Sequence, residues 1–314
     1  MKKLYNHIYL VSIFFAVTFV IGTFFDYQIN DALFHNKDNF GLTFSAIGTI
    51  PGYGVLSFMG GGLLFYGFKR KFPHVAWRIV TFILAVACIG FSIYFSGREF
   101  FGRNGFENAI NPLFGYLIIL PVSGGLTFFG YYVSSKSDND KLWLVYFVIA
   151  IAFTLALLGG VTLLKAIFHR PRFRAIVGTP MEGLNYHPWY VPFKGYESYS
   201  LVLGKEEFKS FPSGHAGSCS AFMMFALFLP LINKKYEKYQ IPLFYVGFVW
   251  TLLISFTRMY VGAHFLSDVS MGALLPIGCF AIGKLVINKV KYFSTPSYEI
   301  KEEEVKLDNN EKQD

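Results

Sequence analysis

The chain has 314 residues, of which 54% are hydrophobic, 19% are aromatic and only 15% are charged. This composition is too apolar and too poor in charge for an ordinary water-soluble domain, so we expect a membrane protein. A net charge of +8 could also indicate a nucleic-acid-binding protein. The basic residues, however, lie in short turns between apolar stretches, where membrane topology accounts for them. The sequence therefore predicts no nucleic-acid partner.

Eight apolar stretches are long enough to cross a bilayer. A spanning helix needs about 20 mostly apolar residues, because in lipid every backbone N–H and C=O group must be paired within its own segment. The sequence thus predicts an all-α fold, a polytopic membrane helical bundle with about eight transmembrane helices. The predicted spans are residues 8–25, 46–68, 77–95, 112–133, 142–164, 216–232, 241–256 and 265–288.

The basic turns predict the orientation of these spans. The first apolar run is long and has no small-residue cleavage site after it, so we interpret it as a retained anchor rather than a signal peptide. A cytoplasmic N-terminus puts the basic turns at 69–78 and 234–238 on the cytoplasmic side, as the positive-inside rule requires. The segments 26–45, 96–111 and 165–215 then face outwards. We expect the plasma membrane, with both termini cytoplasmic.

Residues 1–291 are predicted to form a single integral membrane domain, because no long polar segment separates the spans. Residues 292–314 are charged and nearly free of large apolar side chains, which predicts a disordered cytoplasmic tail. The glycine runs at 60–62 and 124–125 lie inside spans and predict close helix packing rather than a phosphate loop. The three cysteines lie inside spans without metal-ligand spacing, so no disulfide framework or zinc site is predicted.

Ionisable residues beside spans are costly in lipid, and their clusters are therefore candidate functional sites. One cluster begins with Lys165 and includes Arg172. A second is the segment 211–215, in which Pro-Ser-Gly precedes His215 at a predicted helix start, where free N–H groups favour an anion. The third runs from residue 258 to residue 268. The predicted topology brings all three clusters to the outer face, although they lie far apart in sequence.

The third cluster contains a histidine with an acidic partner. His264 and Asp268 are four residues apart, so on one helix they would share a face, and the carboxylate could orient the imidazole. A histidine held in this way can act as a nucleophile. Lys165, Arg172 and Arg258 supply three positive charges, which suit a phosphoryl group.

These residues together resemble the type 2 phosphatidic acid phosphatase superfamily. The resemblance rests on an ordered set of motifs: Lys165, six residues, then Arg172; residues 212–215, Pro-Ser-Gly-His; and Arg258, five residues, His264, three residues, Asp268. It covers about the last 150 residues up to the eighth span and implies a six-helix phosphatase core in the C-terminal part. Two additional N-terminal spans then precede the core.

The resemblance implies a role for each motif residue. His264 would attack phosphorus to form a phosphohistidine, Asp268 would orient it, and His215 would protonate the leaving oxygen. Lys165, Arg172, Ser213, Gly214 and Arg258 would bind phosphate. No metal or other cofactor is implied. The predicted partners are a lipid-linked phosphate substrate and the bilayer.

The substrate and the reaction outcome stay open at this stage. Undecaprenyl diphosphate, phosphatidic acid and phosphatidylglycerol phosphate are the leading substrates, and the sequence does not indicate the oligomeric state. A phosphotransferase would use the same histidine intermediate, and a lipid or anion transporter would use the cations without hydrolysis. We expect Arg170 and Arg174 to solvate the outer loop rather than bind substrate. Trp189 is expected to lie in an aromatic belt or at a lateral entry for a lipid tail.

Overall fold

The computed structural model describes residues 2–35, 38–69, 74–100, 112–136, 142–178 and 181–294. Within these ranges the chain forms helices and no β-strand. The predicted all-α, polytopic bundle is therefore confirmed. The disordered tail predicted for 292–314 lies, from residue 295 onwards, outside the described residues.

The helices follow one another along the whole described chain. They are α1 (Lys2–Leu33), α2 (Asn39–Ile47), α3 (Ile50–Lys69), α4 (Val75–Gly97), α5 (Pro112–Ser135), α6 (Leu142–Thr154), α7 (Thr162–Phe168), α8 (Phe173–Gly178), α9 (Tyr196–Leu203), α10 (Gly214–Ser220), α11 (Phe225–Ile232), α12 (Gln240–Tyr260) and α13 (Leu266–Ser294). A π-helical segment, Leu155–Val161, joins α6 to α7, and 3-10 turns occupy Arg98–Phe100, Lys205–Phe208, Ala221–Met224 and Lys234–Tyr239.

Each of the eight predicted spans corresponds to helical structure. Six segments are long and apolar enough to cross a membrane: Leu4–Leu33, Asn39–Lys69, Val75–Phe100, Leu113–Ser135, Leu144–Gly178 and Lys234–Tyr260. The sixth and eighth predicted spans correspond to two shorter apolar helices, Gly214–Pro230 and Leu266–Ile282. The chain is a membrane protein by these features.

The first helix is longer than the sequence predicts. The expected outer loop at 26–45 is helical up to Leu33, and α2 begins at Asn39. Polar residues normally mark the end of a span, but Asp26 and Asn30 are fully buried here. Their side chains contact protein groups near the start of α13, including the backbone carbonyl of His264. Because these polar side chains have protein partners instead of water, the helix continues past the predicted boundary.

Helix α3 is the most buried of the long helices and packs between α4 and α5. Its glycines explain how it fits. A Cβ atom on Gly61 would lie 1.8 Å from the Thr127 carbonyl oxygen of α5, and one on Gly60 would lie 2.7 Å from Ile89 of α4. The predicted packing role of this glycine run is confirmed. The same prediction is wrong for Gly124 and Gly125, where an added Cβ would meet no atom within 4 Å.

These two glycine sites provide a matched test of helix packing. Gly61→Ala should push α3 away from α5 and lower the free energy of unfolding by about 1–3 kcal/mol, the usual cost of overpacking. Gly125→Ala should leave the stability unchanged or slightly raise it, because alanine favours helix. Thermal unfolding of both variants in detergent measures the difference. Equal midpoints for the two variants would contradict the α3–α5 packing.

Candidate active site

A cavity of about 370 Å³ lies where the predicted motif residues converge. Its wall contains both motif histidines and two of the three predicted phosphate-binding cations. Of the eight predicted site residues, five line the cavity: Lys165, Arg172, Gly214, His215 and His264. The other three, Ser213, Arg258 and Asp268, are buried and are not wall residues. The long-range convergence expected from topology is therefore present in the structure.

His264 lies in the short connection between α12 and α13 rather than on a helix. Its backbone N–H donates to the Arg258 carbonyl at 3.2 Å, which holds the connection against the end of α12. Its Nδ1 lies 2.7 Å from the carbonyl oxygen of Ser210. A carbonyl oxygen only accepts, so Nδ1 carries the proton and Nε2 keeps its lone pair. The nitrogen with the nucleophilic lone pair is thus left for the cavity.

The position of Asp268 differs from the sequence expectation. Its Oδ2 is 3.8 Å from Nδ1 of His264, beyond hydrogen-bond distance, and instead accepts from the Phe265 backbone N–H and from the Ser210 hydroxyl. The Ser210 carbonyl therefore orients the imidazole directly. Asp268 fixes the segments on either side of it and provides a nearby negative charge for the histidine.

Burial lowers the pKa of His264 well below its usual range. The proximity of Asp268 raises this pKa, whereas the positive charges of Lys165, Arg172 and Arg258 lower it further. The imidazole is therefore neutral at neutral pH. A neutral imidazole with a free Nε2 lone pair has the protonation state that nucleophilic attack requires.

Arg170 connects the active-site acid to the first helix. Its guanidinium is fully buried and donates to Asp268 at 2.6 Å and to Asp26 of α1 at 2.8 Å. It also lies over the ring of Phe265, 4.1 Å from the centroid. The expectation that Arg170 solvates the outer loop is wrong, because two carboxylates compensate its buried charge. Neither carboxylate pairing follows from sequence spacing, although Asp26 directly follows a predicted span and could have been noticed as an ionisable residue at a span end.

His215 lies at the start of α10, which begins directly after Ser213. The Ser213 hydroxyl accepts from the Ala216 N–H at 3.3 Å, which confirms the predicted helix start. Close backbone approaches fix α10 against its neighbours: a Cβ on Gly52 of α3 would lie 1.7 Å from the Ser218 carbonyl, and one on Gly272 of α13 would lie 2.2 Å from the Ser213 carbonyl. The position of His215 therefore depends on glycine contacts that bring three helices together.

The cations of the site have unsatisfied hydrogen-bonding groups. Nε and Nη1 of Arg172 and Nε and Nη2 of Arg258 are buried without a hydrogen-bond partner among the described residues. Lys165 donates to the Lys209 carbonyl at 2.5 Å and lines the cavity. Buried guanidinium groups normally require anionic partners. The arrangement therefore fits an anion with several oxygen acceptors.

Arg174 makes an internal ion pair instead of solvating the outer loop, and the half-buried Trp189 packs against α1 and Phe211. Arg174 forms a salt bridge with Glu207 at 2.6 Å. The Trp189 indole N–H donates to Thr23 of α1 at 3.0 Å, and its ring stacks on Phe211 beside the Pro-Ser-Gly-His motif. These contacts hold the segment between α8 and α10 against α1 and beside the residues of the cavity. Within the described residues, no group of three or more His, Cys, Asp or Glu side chains is arranged to hold a metal ion.

The fold and the site define an all-α membrane protein with a cavity at helix ends whose wall contains two histidines, a lysine and an arginine of the predicted motifs. Residues 141–292 match the family model described as PAP2 superfamily, which confirms the resemblance seen in the motifs. Members are phosphatases, so the match supports a hydrolase that acts on phosphate esters. Comparisons with curated proteins and with solved structures gave no match.

The Asp26–Arg170 pair provides a test of the buried network. Asp26→Asn removes one of two carboxylates that compensate Arg170, so the free energy of unfolding should fall by about 3 kcal/mol, the low end for breaking a buried pair, because Asp268 remains. Asp31→Asn, at an exposed position on the same helix, is the matched control and should be neutral. Chemical unfolding in detergent measures both. Identical unfolding curves would show that Asp26 does not compensate Arg170.

Proposed function

We propose that this protein hydrolyses a lipid phosphate or diphosphate through a phosphohistidine intermediate. The observation that carries the proposal is the convergence of His264 and His215 on one cavity beside buried arginines with unpaired guanidinium nitrogens. A phosphoryl group supplies the oxygen acceptors that such guanidinium groups require. Simple anion binding would not need a histidine whose tautomer leaves Nε2 unprotonated.

The site geometry supports a division of labour between the histidines. Nε2 of His264 forms a bond to phosphorus as the bond from phosphorus to the leaving oxygen breaks, and His215 gives a proton to that oxygen. Water then attacks the phosphohistidine, His215 takes up a proton from it, and the electron pair of the phosphorus–nitrogen bond returns to His264. Lys165, Arg172 and Arg258 stabilise the charge on the phosphoryl oxygens throughout.

The apolar side of the cavity supports a lipid substrate. Tyr53, Phe95 and Leu157 belong to the cavity wall and also to a small adjoining crevice between α3, α4 and the end of α6. The remaining crevice residues are Leu56, Phe91, Phe153 and Thr154, so its lining is almost wholly apolar. The crevice holds only about 10 Å³, so it gives the cavity an apolar side against which the first part of a lipid chain would pack.

The order of the helices supports a site on the outer side of the plasma membrane. Asp26 follows the first predicted span and contacts the start of α13, so the site lies at the end of α1 opposite the N-terminus. With the basic turns in the cytoplasm, this end of α1 is extracytoplasmic. A lipid headgroup in the outer leaflet could reach the cavity while its chain stays in the bilayer.

The central test is phosphate release by the purified protein from a panel of lipid monophosphates and diphosphates in EDTA. His264→Ala removes the nucleophile and should lower the rate by at least about 10³-fold. The control is His74→Ala, at an exposed position before α4, which should keep full activity. Rapid acid-free quenching with radiolabelled substrate should trap labelled phosphohistidine in the parent protein.

Three outcomes would contradict the proposal. Undiminished hydrolysis by His264→Ala would refute the nucleophilic role of this residue. Transfer of phosphate to an added sugar or lipid in preference to water would identify a phosphotransferase. Transport of the lipid without phosphate release would identify a transporter. The substrate that is hydrolysed fastest in the panel identifies the lipid class.

The crevice predicts a dependence on chain length. Thr154→Phe narrows the crevice, so KM for a long-chain lipid phosphate should rise by about tenfold, roughly the free energy of a few displaced methylene groups. A short-chain, water-soluble phosphate should be hydrolysed as before. Ile83→Phe adds bulk at an exposed position of α4 and is the control. An equal change in KM for both chain lengths would show that the crevice does not bind the chain.

A further inference from the structure

The imidazole of His215 has an acidic partner that comes from the N-terminal half of the chain. Oε2 of Glu99, in the 3-10 turn after α4, lies 3.3 Å from Nε2 of His215. The carbonyl oxygen of Ser45 in α2 lies 3.2 Å from the same nitrogen. A carboxylate and a carbonyl are both acceptors, so Nε2 carries a proton.

The other ring nitrogen of His215 remains for the substrate. Nδ1 makes no hydrogen bond to any residue that the structure describes, and the side chain forms part of the cavity wall. A proton delivered to a leaving oxygen must therefore come from Nδ1. When Nδ1 is protonated as well as Nε2, the ring is an imidazolium and carries a positive charge.

That positive charge has unfavourable neighbours. Arg258 of α12 and Arg98 next to Glu99 are both close enough to disfavour a charged His215. The ring is also nine-tenths buried, so water stabilises its charge poorly. Among the described residues, Glu99 is the carboxylate that forms an ion pair with it. Burial and the two arginines disfavour the protonated form that a general acid requires, and Glu99 opposes them, so loss of Glu99 would disfavour that form further.

Glu99 is itself held in place. Its side chain is 8% exposed, and its Oε1 accepts from Nε of Arg98 at 3.1 Å. The Arg98 guanidinium lies over the ring of Phe95, 4.4 Å from the centroid. One carboxylate oxygen is therefore fixed by the turn, and the other is directed to His215. The side chain of Glu99 is therefore held in position for its contact with His215.

We propose that Glu99 is a positioning residue for the general acid, and this rests on the proposed function. Glu99 fixes the ring so that Nδ1 points to the leaving oxygen, and it stabilises the imidazolium. As the phosphorus–oxygen bond breaks, the Nδ1 proton moves to the leaving oxygen and His215 becomes neutral with Nε2 still protonated. In the second step Nδ1 takes a proton from the attacking water. Glu99 does not exchange a proton in either step.

Glu99 lies outside residues 141–292, the region that matches the family model. The N-terminal helices therefore supply a residue that contacts His215, the proposed general acid. Sequence reasoning missed this residue because no motif contains it. Its place as an ionisable residue four residues after the predicted span 77–95 was the available signal.

The test compares two leaving groups. A nitrophenyl phosphate releases a phenolate that is stable without protonation, whereas phosphatidic acid releases an alkoxide that needs a proton. Glu99→Gln keeps the size of the side chain and removes its charge. We expect the rate of phosphohistidine formation, measured in a single turnover before water attacks, to fall by about 10- to 100-fold with phosphatidic acid and by less than about threefold with the nitrophenyl ester. A residue with a purely structural role would affect both substrates equally.

Two further measurements make the comparison decisive. In a His215→Ala background, Glu99→Gln should cause no additional loss with phosphatidic acid, because both changes remove the same function. Glu197→Gln, an exposed glutamate of α9, is the control and should be neutral. Rates are normalised to folded protein, and if Glu99→Gln does not fold, Glu99→Asp replaces it in the same leaving-group comparison.

The outcomes separate this inference from the proposed function. Equal losses with both leaving groups, or additive losses in the double variant, would overturn the role of Glu99 while leaving the phosphatase proposal intact. A parent protein that releases no phosphate from either ester or from any lipid of the panel would overturn both. A selective loss with the alkyl ester, absent in the His215→Ala background, supports the inference.

Discussion

The structure depends most on the compensation of one buried charge, the guanidinium of Arg170. It lies between Asp26 of α1 and Asp268 of α13 with no exposure to solvent. Because an unpaired charge in this interior would cost several kcal/mol, the two helices must keep their present contact. The same interaction holds Asp268 against the Ser210 hydroxyl and the Phe265 N–H, and so sets the connection that carries His264.

The two histidines of the cavity are oriented by the same principle. Each has one ring nitrogen directed at acceptors: the Ser210 carbonyl for His264, and the Ser45 carbonyl with Glu99 for His215. The other nitrogen of each ring is left for a ligand. What differs is the charge of the partner. In the proposed mechanism, a neutral carbonyl suits the neutral nucleophile, whereas a carboxylate suits the histidine that must carry a proton.

The N-terminal helices contribute to the site as well as to the bundle. Residues 1–140 lie outside the region that matches the superfamily, yet they provide Asp26, the Ser45 carbonyl and Glu99. They also provide Tyr53 and Phe95 on the apolar side of the cavity. The additional N-terminal spans, whose role the motifs leave unexplained, therefore contact residues of the C-terminal motifs, including His215 through the Ser45 carbonyl and His264 through Asn30.

The sequence alone determined the all-α fold, the positions of the apolar helices and the identity of the motif residues, because long apolar runs and ordered motifs are local features of the chain. Only the tertiary structure decided which group faces each imidazole. Spacing suggested Asp268 as the direct partner of His264, but the backbone carbonyl of Ser210, 54 residues away, has that contact. Arg170 and Asp26 are 144 residues apart. Such pairs depend on how the helices pack. Close contacts at glycines such as Gly52 and Gly272 set that packing, and they join helices that are far apart in sequence, so no local sequence pattern predicts them.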